Sequence, residues 1–439
     1  MSLQSLIDAA AAGSTLRLSN QVYREQVTVS KPLAIEGGSI RGSDVWTNWT
    51  RQGALWVSGR TVPDFGPDAL SAAYVDQWQA THREQVFVDG VQLKQVTANP
   101  SSGQFALDAA RHVLLADDPT RRTVEVTTRQ KWAIVQADDV RFSRTDFRHA
   151  ATHGQQWAIG NDDRKRFRLS GCTLSDVAGS GIALGGGDVY SVVEGCTFAR
   201  IGCEAIQAYR DGHSWIVGNR LFGNGFGGWD WGWQGGAIKV VASFNGTLSG
   251  NVAHNNGGPG LWCDIGCKDM TIANNSSHDN KGPQIFYEIS TKGVIRDNTA
   301  YNGDGEWPAL YVSSSQDTEA HHNVVESSRR AVQAYEQDRL DKPGPMTGIS
   351  IHDNTVIMSG GGIALFWGGG VVTTSPSNKG QNNRFSYPGP ENSQLRFVWS
   401  DGYTKIVDFA KTPGGQGSIY IKPSAPARAA VLHDYGRPI

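Results

Sequence analysis

The chain has almost no net charge, with 40 Lys and Arg against 42 Asp and Glu over 439 residues. It has neither a basic tail nor a Lys/Arg cluster, which excludes the electrostatic footprint of a nucleic-acid binder. No apolar run reaches the ~18 residues of a membrane span, so no insertion into a bilayer is expected. Cysteine is scarce. Cys172, Cys196, Cys203, Cys263 and Cys267 are odd in number and spread through a long chain, so they are no disulfide framework. Cys263 and Cys267 lack a second pair or a His at ligand spacing, which excludes a zinc site. All five read as structural. The N-terminus also lacks a basic segment followed by an apolar one. Either a leader has been removed or none is needed, as for a virion protein released by lysis. An extracellular or virion location is expected.

Glycine, by contrast, is abundant at 53 residues, and Asn crowds the middle third. Both favour short strands joined by tight turns over helices. An apolar residue followed three positions later by Asn recurs at Ile216–Asn219, Leu248–Asn251, Ile272–Asn275, Ile295–Asn298 and Ile351–Asn354, and more weakly at Ala320–Asn323. Upstream, Cys172 and Cys196 take the Asn position. The spacings along this series are 24, 23, 32, 24, 23, 25 and 31 residues, and the two long steps hold insertions at 226–235 and 338–347. A repeat of about 24 residues with three short strands is one turn of a parallel β-helix, whereas a helical solenoid needs a longer repeat and helix formers. Asn219, Asn251, Asn275, Asn298 and Asn323 are expected to stack at a bend, each amide bonding the next coil.

One strand per coil follows a Gly-rich turn. Aligned, these strands begin at Ile206, Ile238, Leu261, Ile285, Leu310 and Val332. Side chains alternate faces along a strand. The first and third positions are mostly small and apolar and point inward. The second and fourth positions face out, in two columns. One runs Gln207, Lys239, Trp262, Phe286, Tyr311, Gln333, and the other runs Tyr209, Val241, Asp264, Glu288, Ser313, Tyr335. At about 4.8 Å per coil, three successive exposed aromatics make a flat stripe, and such stripes mark binding surfaces. Trp262, Phe286 and Tyr311 are thus expected to stack on sugar rings. The Trp-rich insertion around Trp233 either covers the stripe or walls the groove.

Asp264 and Glu288 are neighbours on adjacent coils, so their carboxylates are expected roughly 5 Å apart. One pKa of such a pair rises, giving an acid and a base. A gap of about 5–5.5 Å suits a retaining glycosidase. Lys239 and Arg210 are expected to neutralise or orient the substrate. The same residues permit two other readings. Asp264 and Glu288 could hold Ca²⁺ while Lys239 acts as the base of a lyase or epimerase. Alternatively, the cluster only balances its own charges in a glycan-binding protein. No cofactor other than this Ca²⁺ is indicated.

The segments Gly-Trp-Gln-Gly-Gly-Ala-Ile-Lys (232–239), Gly-Pro-Gly-Leu-Trp-Cys-Asp (258–264), Ile-Phe-Tyr-Glu-Ile-Ser (285–290), Val-Ser-Ser-Ser (312–315) and Tyr-Arg-Glu-Gln-Val-Thr-Val (23–29) resemble the bacterial right-handed β-helix repeat proteins. The resemblance spans roughly residues 3–400. It implies a polysaccharide-degrading protein or, since similar chains occur as phage minor tail proteins, a tail adhesin that binds host glycan. Homotrimers or virion tail partners would accompany the latter. The resemblance also implies an active groove at Lys239, Trp262, Asp264 and Glu288. The family often has Glu where this chain has Gln234, which implies an impaired or binding-only copy if that Glu takes part in chemistry.

The expected organisation is a capping helix with the first coils over 1–43, a β-rich insertion over 44–130, the β-helix body over 131–370 and a C-terminal cap over 371–439. Asp89-Gly90, between two apolar runs, suits a type I′ hairpin turn.

Overall fold

The computed structural model describes residues 1–66, 74–303, 305–389 and 393–422. The expected C-terminal cap beyond 422 lies outside the described residues. The chain divides into two compact units: residues 1–185, 191–207 and 223–235 form the first, and residues 186–190, 208–222 and 236 onward form the second. Among the described residues no helix is long and apolar enough to cross a membrane.

In the first unit a short helix, Leu3–Ala9, is capped by the Ser2 hydroxyl, which accepts from the Ser5 N–H. Its buried residues are Leu3 and Ile7. Gln4 clamps it to the strand Val27–Val29: its amide donates to the Thr28 carbonyl at 3.1 Å and its Oε1 accepts from the Thr28 N–H at 2.8 Å. Two parallel stacks follow. One runs from Thr15–Arg17 through Leu33–Glu36, Val140–Ser143 and Arg168–Ser170 to Val192–Glu194. The other runs from Val22–Tyr23 through Ser39–Arg41, Asp146–Ala150 and Thr173–Val177 to Thr197–Ile201. Residues 43–127 contribute antiparallel strands instead, such as Leu55–Thr61 against His112–Leu115. They close around their own core of Trp46, Val86, Phe105, Val113 and Val126. The hairpin between Val86–Val88 and Val91–Gln92 turns at Asp89 (φ 50°) and Gly90 (φ 80°), the two left-handed residues of a type I′ turn.

The second unit is built from three parallel stacks. Their inward residues repeat coil by coil: Ile216, Leu248, Ile272, Ile295, Ala320 and Ile351 are all buried in one stack. Asn251, Asn275, Asn298, Asn323 and Asn354 form the ladder expected from the repeat. Each Oδ1 accepts both the backbone N–H and the side-chain amide of the Asn one coil before it, at 2.9–3.0 Å. The ladder starts at Asn219 and reaches Asn383, one coil beyond the sequence pattern. Every donor buried at this bend thereby finds an acceptor, which a close-packed, water-free turn requires. All five cysteines are buried thiols outside any disulfide. Cys172 and Cys196 occupy the Asn position in the first unit, with the Cys172 N–H on the Cys196 sulfur at 3.4 Å.

Candidate functional site

The third stack of the second unit carries the two outward columns in the register that the sequence alignment requires. Lys239 pairs with Trp262, Trp262 with Phe286, Phe286 with Tyr311 and Tyr311 with Gln333. In the other column Val241 pairs with Asp264, Glu288 with Ser313, and Ser313 with Tyr335. Directly after each strand the chain turns through a left-handed residue: Ala242, Ile265, Ile289 and Ser314 have φ of 51°, 30°, 49° and 47°. A β-branched residue is strained there, and two isoleucines accept that strain immediately beyond the carboxylates.

The aromatic stripe is not the open platform expected. Trp262, Phe286 and Tyr311 are only 2%, 4% and 3% exposed. Trp262 and Phe286 lie face to face at 5.3 Å, and Phe286 and Tyr311 at 4.8 Å. The Lys239 ammonium sits over the Trp262 ring at 3.7 Å. One-coil spacing is close to the ring-stacking distance, so outward aromatics in register consume each other's faces. Those faces are therefore not free for sugars.

Beside this stack the charges converge. Lys239 Nζ lies 3.0 Å from Asp264 Oδ2, and the other Asp264 oxygen accepts the Ile265 N–H at 2.8 Å. Glu288 has a different environment. Its Oε1 accepts from Arg339 Nη1 at 3.3 Å and from the Gln337 amide at 3.4 Å. The same Gln337 amide donates to Ser313 Oγ at 3.0 Å and Tyr311 Oη at 3.3 Å. Burial, and after it the negative charge of Asp264, push the Glu288 carboxyl up to about 7, against the opposing pull of Arg339 and Lys239. Two neighbouring carboxyls thus stand in unlike surroundings.

Arg339 belongs to the insertion that lengthens the second long repeat step, and Gln337 directly precedes it. Its base is fixed by Glu336, which accepts from Lys342 Nζ at 2.7 Å and from the N–H groups of Met346 and Val371 at 3.3 and 3.0 Å. Burial raises the Glu336 pKa, but these donors outweigh it and the net shift is downward. Arg339 also pairs with Asp341 at 2.8 Å, which holds its fork over Glu288.

The charges on Glu288 can be varied separately. Asp264→Asn removes the repulsion and is expected to lower the Glu288 pKa below 7. Arg339→Gln removes an attraction and is expected to raise it. Carboxyl-resolved NMR titration of each variant checks both signs. Movement of the two values in the same direction would mean that the pair is not coupled as described.

Among solved structures, XylC in complex with xylose aligns with 91% of this chain and 83% of its own at a TM-score of 0.68 and 14% identity. The A-module of the mannuronan C-5 epimerase AlgE6 from Azotobacter vinelandii aligns with 96% of this chain and 95% of its own, at a TM-score of 0.53 and 11% identity. Residues 158–325 match the family model described as the right handed beta helix region. The chain is a right-handed parallel β-helix protein. No curated protein matches it.

The remaining sequence candidates lie elsewhere on this β-helix. Trp233, with Tyr74, packs against the buried cluster of Ala80, Cys203 and Trp229 in the first unit. Gln234, 2% exposed, donates its side-chain amide to the fully buried Glu204 carboxylate in that unit. Gln207 is half-buried there. Tyr209 is 47% exposed, and the Arg210 guanidinium lies over its ring at 5.1 Å. The arginine that reaches Glu288 is Arg339, which the repeat pattern did not single out. The signal was present as an insertion rich in charge, Asp338, Arg339, Asp341 and Lys342, directly after the strand ending at Tyr335.

Proposed function

We propose that this β-helix protein binds a cell-surface or cell-wall polysaccharide and cleaves it by hydrolysis. Glu288 is the proton donor and Asp264 the second carboxylate. The observation that carries this reading is the unlike surroundings of two neighbouring carboxyls: Asp264 lies 3.0 Å from the Lys239 ammonium, while burial and the Asp264 charge push the Glu288 carboxyl up to about 7. A general acid needs a proton to give at neutral pH, and the partner must be ionised to act as nucleophile or base. Arg339 and Gln337 bond Glu288 and must give way for a glycan to reach it. The polysaccharide-related names of the neighbouring folds agree with this reading.

Elimination fits less well. The Lys239 charge is committed to Asp264 and to the Trp262 ring, so it serves as a charge partner rather than as a base. Calcium does not fit the donors either. It takes about 6–8 oxygens, whereas here the two carboxylates already face an ammonium and a guanidinium. Among the described residues no three His, Cys, Asp or Glu gather in a metal-holding group. Binding without turnover is the second reading, favoured by burial: Asp264 and Glu288 are each 4% exposed.

A screen of cell-wall and capsular glycans, with and without Ca²⁺, separates these readings. New reducing ends without absorbance from unsaturated uronates, lost in Asp264→Asn and Glu288→Gln, are expected. Ca²⁺-dependent absorbance would replace hydrolysis with elimination. Binding without any product, unchanged in both variants, would leave a glycan adhesin.

A further inference from the structure

The aromatic column breaks at Gln333. Phe286 and Tyr311 stack at 4.8 Å, but the position after Tyr311 is Gln333, and the ring returns only one coil later at Phe366. Tyr335 and Phe366 do not close the space, since their rings are tilted by 53° at 6.1 Å. The break leaves a cavity of about 440 Å³, within the range of small-ligand sites. Trp307, 37% exposed, lines it together with Tyr335 and Phe366. These rings are more accessible than those of the buried stack.

One charge faces this space. Arg330, at the start of the strand Arg330–Tyr335, is exposed and lines the cavity. Its guanidinium has no acidic partner among the described residues, unlike Arg339, which has two. The cavity is one side chain away from Glu288: Gln337 lines it and donates to that carboxyl.

We infer that this cavity is a subsite for one sugar unit carrying a negative charge, its ring against the aromatic walls and its anionic group on Arg330. An arginine fork matches a carboxylate in two parallel hydrogen bonds, so a uronic acid is the best-fitting unit. Pyranose C–H faces suit aromatic walls, and Gln333 and Gln337 supply polar contacts for hydroxyls. The inference rests on the proposed glycan site and specifies the charge of its substrate.

The test measures binding calorimetrically on the full chain carrying Glu288→Gln, so that ligand is not consumed. The probes are uronic-acid tetrasaccharides, the same tetrasaccharides with carboxyls reduced to alcohols, and sulfated neutral tetrasaccharides. Uronic acids are expected to bind about 10–100-fold tighter than their reduced forms. Adding Arg330→Gln should abolish that preference, and Arg330→Lys should restore part of it. A preference confined to the sulfated series and lost in Arg330→Gln would keep the anionic subsite and identify its ligand as a sulfate ester. Equal affinity for charged and neutral probes, a preference that survives Arg330→Gln, or no binding at all would overturn the inference. Turnover of neutral glycans alone by the wild type, lost in Glu288→Gln, would overturn it while leaving the carboxylate pair standing. Acid preference without wild-type turnover would do the reverse.

Discussion

Glu288→Gln is expected to lower glycan turnover by about 10²–10⁴-fold, the usual contribution of a positioned general acid. Gln keeps the shape and the contacts to Arg339 and Gln337 but has no proton to transfer, so binding should change far less than rate. The pH profile adds a signature that a structural role would lack. With the carboxyl pushed up to about 7, Glu288 is protonated below that value and loses its proton above it. Rate limited by this acid should therefore fall as pH rises through about 7. The same shift acts on stability. Because the folded pKa lies above the ordinary 4.5, protonated Glu288 favours the fold fully below 4.5, and that contribution is lost as pH rises through about 7. The loss is at most about 3 kcal/mol. At pH 8–9 the Gln variant should thus equal or exceed the wild type in stability while remaining inactive. A variant with unchanged kcat, or a wild-type rate that is flat from pH 6 to 9, would remove Glu288 from the chemistry.

The second large effect concerns stability. Asn298→Ala is expected to cost roughly 2–5 kcal/mol, because it orphans several buried groups at once. The N–H and side-chain amide of Asn275 lose their acceptor, each at 2.9 Å, and the Ile272 carbonyl loses its donor. Asn298 is 1% exposed, so water cannot readily substitute. Because a solenoid couples each coil to its neighbours, the damage should spread beyond one coil and broaden the transition. Chemical denaturation of the wild type and the variant measures this. A midpoint shift equivalent to under about 0.5 kcal/mol would mean that the ladder only follows the fold.

Much of this was legible in the residues because a parallel stack in register copies sequence spacing into space. A repeat of about 24 residues places every Asn above the last, Asp264 beside Glu288 and Lys239 beside Trp262, and the period of two along a strand turns these side chains outward. The coupling of the carboxylates followed from that adjacency. The insertions were legible too, as long steps in the repeat, but not what they touch. Arg339 lies 51 residues from Glu288, on a segment outside the period, and nothing in its local pattern names its partner.

Burial was the quantity most misjudged. Alternation says which face of a strand a side chain takes, not what lies above that face. Trp262, Phe286 and Tyr311 face out as expected, yet they cover one another, and Gln337 and Arg339 reach onto Glu288. By itself the sequence determined the coil, the two outward columns and the identity of the acidic pair, because these depend only on periodicity and register. The tertiary structure decided which carboxyl burial pushes upward, which arginine attends it and where an open cavity remains. Those depend on desolvation and on the docking of a long insertion, which act through distance in space and not along the chain.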